Sequence, residues 1–239
     1  MGLTDSGQKI SAEDHARRVR EMFAKISPRY DLLNHLLSAN IDSRWRRRVV
    51  RRLTPLLTKD ARVLDVGCGT GDLSIELFEK TSARVTGIDF CRPMLKLAKA
   101  KAPRLAFIEG DALRLPFADA SFEGLMIGFA LRNLASVEEG LRELLRVLKP
   151  GGVVAILEFS HPVVPVFRGL VGFYNWRLVP WIGGLLSGSR GAYEYLPDSI
   201  SKFPDQEMLA GMMRAAGFEE VCFENLSGGI AALHTGRRV

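Results

Sequence analysis

Three alternating glycines follow a short apolar run, in an arrangement that can hold a nucleoside. The stretch reads Val63-Leu64-Asp65-Val66-Gly67-Cys68-Gly69-Thr70-Gly71. Glycine allows the positive φ angles of a tight turn and has no Cβ to keep a ligand away from the backbone. The pattern makes Asp65, Gly67, Gly69, Thr70 and Gly71 candidate ligand contacts, although alone it also fits a dinucleotide site or a plain turn.

Two carboxylates later in the chain make the prediction of a nucleoside site more specific. Asp89 ends the second predicted strand, 18 residues after Gly71, where its oxygens can accept both hydrogen bonds of a ribose diol. Asp111 and Ala112 follow the third predicted strand, where a carboxylate can accept from the adenine amino group. Open α/β sheets bind ligands at the carboxyl ends of their strands. Three such features at the ends of consecutive strands therefore predict one shared site.

The glycine spacing distinguishes between cofactors. The chain has G-x-G-x-G, whereas dinucleotide-binding proteins have G-x-G-x-x-G. A loop that need not hold a phosphate can receive the amino-acid part of S-adenosylmethionine. The stretch resembles the first motif of Rossmann-like methyltransferases, so we expect S-adenosylmethionine as the cofactor and keep NAD as a residual alternative.

Alternating short strands and helices must position these residues. The predicted strands are 62–66, 84–88, 105–109, 123–127, 153–158, 219–225 and 230–236, and the predicted helices between them are 72–80, 93–101, 137–148 and 206–216. Helical spacing of apolar residues also predicts helices within 11–55. We therefore predict an α/β fold of the Rossmann-like class I methyltransferase type, with a mainly parallel seven-stranded sheet, helices on both faces and an N-terminal helical extension.

Four further blocks resemble the C-methyltransferases of menaquinone and ubiquinone biosynthesis. They are Arg29-Tyr30-Asp31-Leu32-Leu33-Asn34 with Ser38 and Asp42-x-x-Trp45-Arg46, then Phe129-Ala130-Leu131-Arg132-Asn133-Leu134, then Arg146-Val147-Leu148-Lys149-Pro150-Gly151-Gly152 with Leu157-Glu158-Phe159-Ser160-His161-Pro162, and finally Tyr193-x-Tyr195-Leu196-Pro197-x-Ser199 with Phe203-Pro204. The resemblance implies transfer of a methyl group to a ring carbon of a prenylated quinol. It leaves open whether that quinol is demethylmenaquinol, the benzoquinol of the ubiquinone pathway, or both.

The resemblance also implies roles for single residues. Thr70, Asp89, Asp111 and Ala112 should contact S-adenosylmethionine. At three positions the chain departs from the family pattern, namely Asn40, Gly128 and Ala135. Asn tolerates a glycine-like backbone best after glycine itself, and Ser136 is expected to supply the helix cap that Ala135 does not.

The acceptor must be the reduced quinol, because an oxidised quinone ring is itself electrophilic. Loss of a proton from the neighbouring hydroxyl makes the ring carbon more nucleophilic. Arg132 is our candidate catalytic residue, since a permanently charged guanidinium can stabilise the developing oxyanion or orient a water that takes the proton. The alternative is that Arg132 pairs with a carboxylate and only shapes its loop.

Aromatic and amide side chains in the same blocks are candidates for the substrate pocket. They are Tyr30, Asn34, Tyr193 and Tyr195. Aromatic rings can enclose a flat ring while their hydroxyls bond its oxygens, although each could equally be packed in the core. No cluster has the spacing of metal ligands, so no metal is expected.

The chain is predicted to have two parts. Residues 1–55 form a helical extension that covers the substrate, and 56–239 form the methyltransferase domain, with 162–205 inserted on the substrate side. The apolar stretch 163–187 contains Phe167, Phe173, Trp176 and Trp181, but Asn175, Arg177 and Pro180 make 169–189 a poor transmembrane helix. It is a suitable lining for a prenyl tail or an interfacial patch.

The net charge of +6 is concentrated in one run of arginines. Its members are Arg44, Arg46, Arg47, Arg48, Arg51 and Arg52. Two interpretations stay open, a solvated helix face and peripheral contact with an anionic membrane. Cys68, Cys91 and Cys222 are scattered and odd in number, which favours reduced thiols and a cytoplasmic protein. Any peripheral membrane contact is then expected at the inner face of the membrane. A homodimer is compatible with the sequence.

A nucleoside sensor without catalytic activity is one alternative to quinol methylation, and turnover with demethylmenaquinol would exclude it. Two other functions also compete. The first is methylation of another small lipophilic acceptor, such as a phenol, a sterol or a polyketide. The second is binding or modification of RNA, suggested by the arginines. The chain has no recognisable RNA module, so no nucleic-acid partner is expected.

Overall fold

The computed structural model describes residues 11–32, 38, 40–164 and 190–239. Within them, seven strands form one sheet in the order β3-β2-β1-β4-β5-β7-β6. The strands are β1 Arg62–Val66, β2 Arg84–Asp89, β3 Ala106–Glu109, β4 Phe122–Gly128, β5 Leu148–Phe159, β6 Glu219–Leu226 and β7 Ala231–Arg237. β1 to β5 pair in parallel, and β7 pairs antiparallel with both β5 and β6. The predicted seven-stranded, mainly parallel sheet is confirmed.

Helices lie on both sides of this sheet. They are α1 Ala12–Ile26, α2 Ile41–Leu53, α3 Asp72–Lys80, α4 Arg92–Lys101, α5 Val137–Val147, α6 Arg190–Lys202 and α7 Gln206–Ala215. The helix α1 begins at Ser11, whose side chain accepts a hydrogen bond from the Asp14 backbone N–H, and it passes into a 3₁₀ turn that contains Pro28. These are ordinary start and stop signals for a helix.

Two apolar cores form because side chains alternate between the two faces of each strand. In β1, Leu64 points into a core completed by α5 and α7, whereas Val63 points into the opposite core with α2 and α3. Trp45 and Leu53 of α2 are buried in that second core. The helix α2 therefore shares its core with the sheet, although it lies within the predicted extension 1–55.

Two local expectations from the sequence are confirmed. Asn40 precedes α2 with a left-handed backbone (φ 60°), the conformation that glycine adopts most readily. Ser136 caps α5, and its hydroxyl accepts from the Glu139 backbone N–H at 3.2 Å. At both positions the residues present meet the local backbone requirement that was expected.

The structure also corrects the sequence prediction at particular places. β5 begins at Leu148, which pairs with Phe122, so strand pairing starts before the Pro-Gly-Gly turn instead of at residue 153. The helix α6 was not predicted, because Pro197 lies inside it. Residues 33–37, within the region 11–55 that was predicted to be helical, and all of 165–189 lie outside the described residues.

Candidate active site

A cavity of about 500 Å³ opens at the carboxyl ends of β1, β2, β3 and β4. This size is ordinary for a small-molecule site. Five of the predicted cofactor residues line it, namely Gly67, Gly69, Asp89, Asp111 and Ala112. Residues predicted from three separate strand ends are therefore brought together around one space.

The glycine loop has the geometry of a ligand cradle. Gly67 and Gly69 both have left-handed backbones, with φ of 65° and 54°. A Cβ on Gly67 would lie 2.4 Å from the Cβ of Ala130, whereas a Cβ on Gly69 would meet no atom within 4 Å. The space above Gly69 is thus open toward the cavity.

The carboxylate of Asp89 links two backbone segments of the cavity wall. Its oxygens accept hydrogen bonds from the backbone N–H groups of Gly69 and Cys91, both at 2.8 Å. Burial raises the pKa of Asp89, while these backbone N–H donors act in the opposite direction. A carboxylate oxygen has more than one lone pair, so Asp89 can still accept from a ribose hydroxyl.

Asp111 lies at the rim of the cavity. Its carboxylate accepts from the Leu113 backbone N–H at 2.9 Å, which fixes a turn beyond β3. Ala112 follows it on the cavity wall. The arrangement fits an adenine ring held between a carboxylate and backbone atoms.

The other three predicted cofactor residues, Asp65, Thr70 and Gly71, do not line this cavity. Asp65 is buried and accepts from the Ser74 hydroxyl at 2.6 Å. Burial raises its pKa to about 7, partly offset by the hydrogen bond from Ser74. The hydroxyl of Thr70 donates to Asp31 at 2.6 Å. Through these side chains, both residues contact the protein behind the cradle.

The helix α1 forms a wall of this cavity, a role that the sequence did not predict. Arg17, Arg20 and Phe23 of this helix line the same space as Gly69. The guanidinium of Arg20 lies 5.4 Å from the ring centroid of Phe90, the residue after Asp89. In the sequence, the signal for this wall was the pair Arg17 and Arg20 in an amphipathic helix. Exposed arginines are too common for that signal to be specific.

Arg132 forms a buried ion pair with Glu158. Its Nη1 donates to Glu158 Oε1 at 2.8 Å, and the two side chains are 7% and 1% exposed. Nη1 also donates to the carbonyl of Phe129 at 2.5 Å, while Nε is buried without a partner among the described residues. Burial raises the pKa of Glu158, against the effect of the nearby Arg132 charge. Of the two roles considered for Arg132, pairing with a carboxylate is observed.

Phe129, whose carbonyl accepts from Arg132, has an unusual backbone. Its backbone is left-handed (φ 59°), which is rare for a bulky side chain and is typical of strained functional loops. Its ring packs against Phe159 with centroids 4.6 Å apart. Glu158 was not identified as a site residue from the sequence, although a single carboxylate inside the apolar strand β5 was a signal for it.

The predicted substrate residues are only partly described. Tyr30 lines the cavity, and the Tyr195 hydroxyl donates to Asn133 Oδ1 at 3.1 Å. Asn133 also lines the cavity, so Tyr195 is linked to the site through it. Asn34 and the side chain of Tyr193 lie outside the described residues.

The arginine run of α2 divides into paired and exposed members. Arg46 pairs with Asp42 and Asp72, and Arg48 pairs with Glu224. Arg44, Arg47 and Arg51 are exposed on one face of the helix, and Arg52 is exposed beside Cys222, with Nη2 3.8 Å from its Sγ. In the described part of the chain, no helix is long and apolar enough to span a membrane, and no cluster of His, Cys, Asp or Glu could hold a metal ion.

The chain is similar to known methyltransferases over almost its whole length. A sequence model of the ubiE/COQ5 methyltransferase family matches residues 10–238. The demethylmenaquinone methyltransferase of Thermus thermophilus is 48% identical over 222 residues, covering 91% of this chain and 100% of that protein. The ubiquinone/menaquinone biosynthesis C-methyltransferase UbiE of Geobacter sp. strain M21 is 43% identical over 233 residues, covering 94% and 98%.

Among solved structures, the same fold recurs at low sequence identity. A methyltransferase of Thermotoga maritima that depends on S-adenosylmethionine superposes with a TM-score of 0.67 at 18% identity, covering 92% of this chain and 99% of that one. At this identity the likeness confirms the predicted fold class and carries no information about the acceptor.

Proposed function

The chain belongs to the ubiE/COQ5 methyltransferase family, and on that premise we propose that it methylates a ring carbon of demethylmenaquinol. It is a C-methyltransferase that depends on S-adenosylmethionine, and its relatives carry the names of quinone biosynthesis enzymes. The observation that carries the proposal is the shared cavity of Gly69, Asp89 and Asp111 beside the Arg132 loop. The benzoquinol of the ubiquinone pathway is the second acceptor to be tested.

The protein's main task is to align two reactants. S-adenosylmethionine supplies an already activated methyl group. Gly67 and Gly69 would hold its amino-acid part, Asp89 its ribose and Asp111 with Ala112 its adenine. Holding reactants in line can lower a barrier by roughly 7–11 kcal/mol. No strong acid or metal is required of the residues around the cavity.

The acceptor oxygen needs a positive partner, and we propose Arg132 for that role. Its Nη1 is engaged by Glu158 and Phe129, but the buried Nε has no partner among the described residues. Buried donors are rarely left unpaired, and the exceptions often mark functional groups. The neighbouring Asn133 reaches the cavity and accepts from Tyr195. This arrangement favours an oxyanion near Asn133, where the loop that carries Arg132 borders the cavity.

A prenylated acceptor resides in a membrane, and we propose that the protein meets it there by peripheral contact. Arg44, Arg47 and Arg51 are exposed on one face of α2, where lipid phosphates can reach them. The proposal is supported by the net charge of +6. Basic residues near an anionic membrane surface contribute about 1 kcal/mol each.

Methyl transfer from labelled S-adenosylmethionine tests the function directly. Reduced demethylmenaquinone and its benzoquinol counterpart are offered side by side, with the oxidised quinones as matched controls. We expect label in the naphthoquinol product and none with either oxidised form, since an electrophilic ring cannot attack the methyl group. Label in an unrelated phenol, sterol or polyketide but in neither quinol would overturn the proposal.

A further inference from the structure

Thr70, in the middle of the glycine loop, is bonded to the N-terminal region. Its hydroxyl donates to Asp31 Oδ1 at 2.6 Å, and the residue is only 3% exposed. Asp31 lies directly after Tyr30, which lines the cavity. One hydrogen bond thus joins the cofactor loop to the segment that carries a predicted substrate residue.

Lys101, the last residue of α4, is the centre of the same contact. Its ammonium donates to Asp31 Oδ2 at 2.8 Å, to Thr70 Oγ1 at 3.0 Å and to Asp72 Oδ1 at 2.5 Å. An ammonium has three donors, and Lys101 uses all of them here. It connects the N-terminal segment, the glycine loop and the first turn of α3.

A second tie reaches α2 through Asp72. Arg46 Nη2 lies 3.2 Å from Asp72 Oδ2 and also pairs with Asp42. Asp42 in turn accepts from the Ser38 hydroxyl at 2.6 Å. The polar network therefore binds the N-terminal region to the back of the loop at two separate points.

The loop needs such support because its backbone is intrinsically free. Gly67, Gly69 and Gly71 all have positive φ, and glycine loses more conformational freedom on ordering than any other residue. Thr70, between Gly69 and Gly71, has a hydroxyl that can anchor this backbone. The contacts of Thr70 with Asp31 and Lys101 lie behind the cradle and leave the face of Gly69 open toward the cavity.

We propose that Asp31 and Lys101 are positioning residues for S-adenosylmethionine, which hold the glycine loop in its binding form from behind. Because Tyr30 is adjacent to Asp31, the same contact sets the position of Tyr30 at the cavity. Cofactor binding and the placement of Tyr30 are then linked, and linkage of binding is reciprocal. The part of this inference that concerns the quinol rests on the proposed function, whereas the part that concerns the cofactor does not.

Calorimetry of S-adenosylmethionine binding to the full-length protein tests the cofactor part without any methyl transfer. Lys101→Met removes three hydrogen bonds but touches no cavity residue. The Lys101 and Asp31 side chains are 31% and 34% exposed, so we expect a Kd raised roughly three- to tenfold instead of a full loss. Lys101→Arg should recover part of the affinity. Lys96→Met, at an exposed position of the same helix, is the matched control and should leave the Kd unchanged.

Two further measurements separate positioning from general destabilisation. Hydrogen exchange of the amides at 67–71 should accelerate in Lys101→Met, while that of the β4 and β5 amides should not. In a double-mutant cycle with Asp31→Ala, the losses of affinity should be less than additive because both variants break one network. Unchanged affinity in a folded Lys101→Met protein, or strictly additive losses, would overturn the inference. A protein that binds the cofactor as expected but methylates no quinol would instead contradict only the proposed function.

Discussion

The Cβ of Ala130 lies 2.4 Å from the place where a Cβ on Gly67 would stand. The glycine loop after β1 and the loop after β4 therefore touch at a point that has no room for one more carbon. Gly67 also has a φ of 65°, so a side chain there would be strained by its own backbone as well. The shape of the cavity wall depends on this contact.

Gly67→Ala should lower the free energy of unfolding by about 2–4 kcal/mol, from the left-handed backbone and the overpacking together. Gly69→Ala has a similar φ but meets no atom within 4 Å, so we expect only about 1–2 kcal/mol there. Urea unfolding at fixed pH measures both. The double variant Gly67→Ala/Ala130→Gly should recover the part caused by the clash. Equal losses of stability in the two single variants would show that Ala130 moves away from the new Cβ without loss of stability.

Much of the fold was predictable because strands and helices leave different periodicities in a sequence. All seven strands were predicted to within a few residues, except that β5 begins at Leu148. The early start depends on pairing with Phe122 across a shifted register. That is a tertiary contact, and local periodicity has no signal for it.

The candidate site was predictable where a residue lines the cavity through its own backbone or through its place at a strand end, as Gly69 and Asp89 do. It was not predictable where a residue acts through a distant partner. Lys101 and Asp31 are 70 positions apart, and Arg132 and Glu158 are 26 apart. The sequence around a charged residue does not indicate which oppositely charged residue it will contact in the folded protein.

Arg132 is predicted to contribute to turnover beyond its structural contact with Glu158. Arg132→Ala is a poor test, because it leaves a buried carboxylate unpaired and should cost about 3–5 kcal/mol of stability. The double variant Arg132→Gln/Glu158→Gln removes both buried charges and should recover most of that stability. We expect its kcat to stay about 100-fold below that of the unmodified enzyme, as after loss of one oxyanion donor.

Two measurements decide between the roles of Arg132. Single-turnover kinetics give the rate of methyl transfer, and calorimetry shows whether S-adenosylmethionine affinity is retained, as we expect. Glu158→Gln alone is the companion variant, since it keeps the guanidinium and changes only the partner. If the double variant regains turnover together with stability, Arg132 serves only to shape the loop after β4.

Asp65 is predicted to make stability depend on pH. Burial raises its pKa to about 7 in the folded protein, against about 3.9 in an unfolded chain. The folded state therefore holds a proton that the unfolded state releases, and stability falls as the pH rises from about 4 to about 7. Asp65→Asn resembles the protonated form and can still accept from the Ser74 hydroxyl.

The stability of the Asp65→Asn variant relative to the unmodified protein should therefore increase as the pH rises. We expect equal free energies of unfolding near pH 4 and a more stable Asp65→Asn protein at pH 8, by a few kcal/mol at most. Urea unfolding in the absence of S-adenosylmethionine at pH 4, 6 and 8 measures the difference. Burial also raises the pKa of Asp89 and Glu158. Only the difference in stability between the two proteins therefore isolates the contribution of Asp65. A difference that is constant across this range would show that Asp65 is ionised throughout.

The exposed arginines of α2 are predicted to bind anionic membranes reversibly. Arg44, Arg47 and Arg51 are exposed, whereas Arg46 and Arg48 are already paired with carboxylates. Replacing the three exposed residues by Gln should cost about 3 kcal/mol of membrane binding, or roughly 100-fold in partitioning at low salt. Co-sedimentation with phosphatidylglycerol vesicles measures it, with phosphatidylcholine vesicles for comparison.

A charge-matched control separates this face from net charge alone. Lys80 on α3, Lys96 on α4 and Arg104 in the turn after α4 are exposed, and replacing them by Gln removes the same three charges elsewhere. We expect that control to bind vesicles nearly as well as the unmodified protein, and all binding to weaken as salt rises. Equal losses in the two triple variants would mean that only the total charge matters. A protein that stays in the supernatant with anionic vesicles at low salt would exclude membrane contact through α2, and the quinol would then have to reach the cavity by another route.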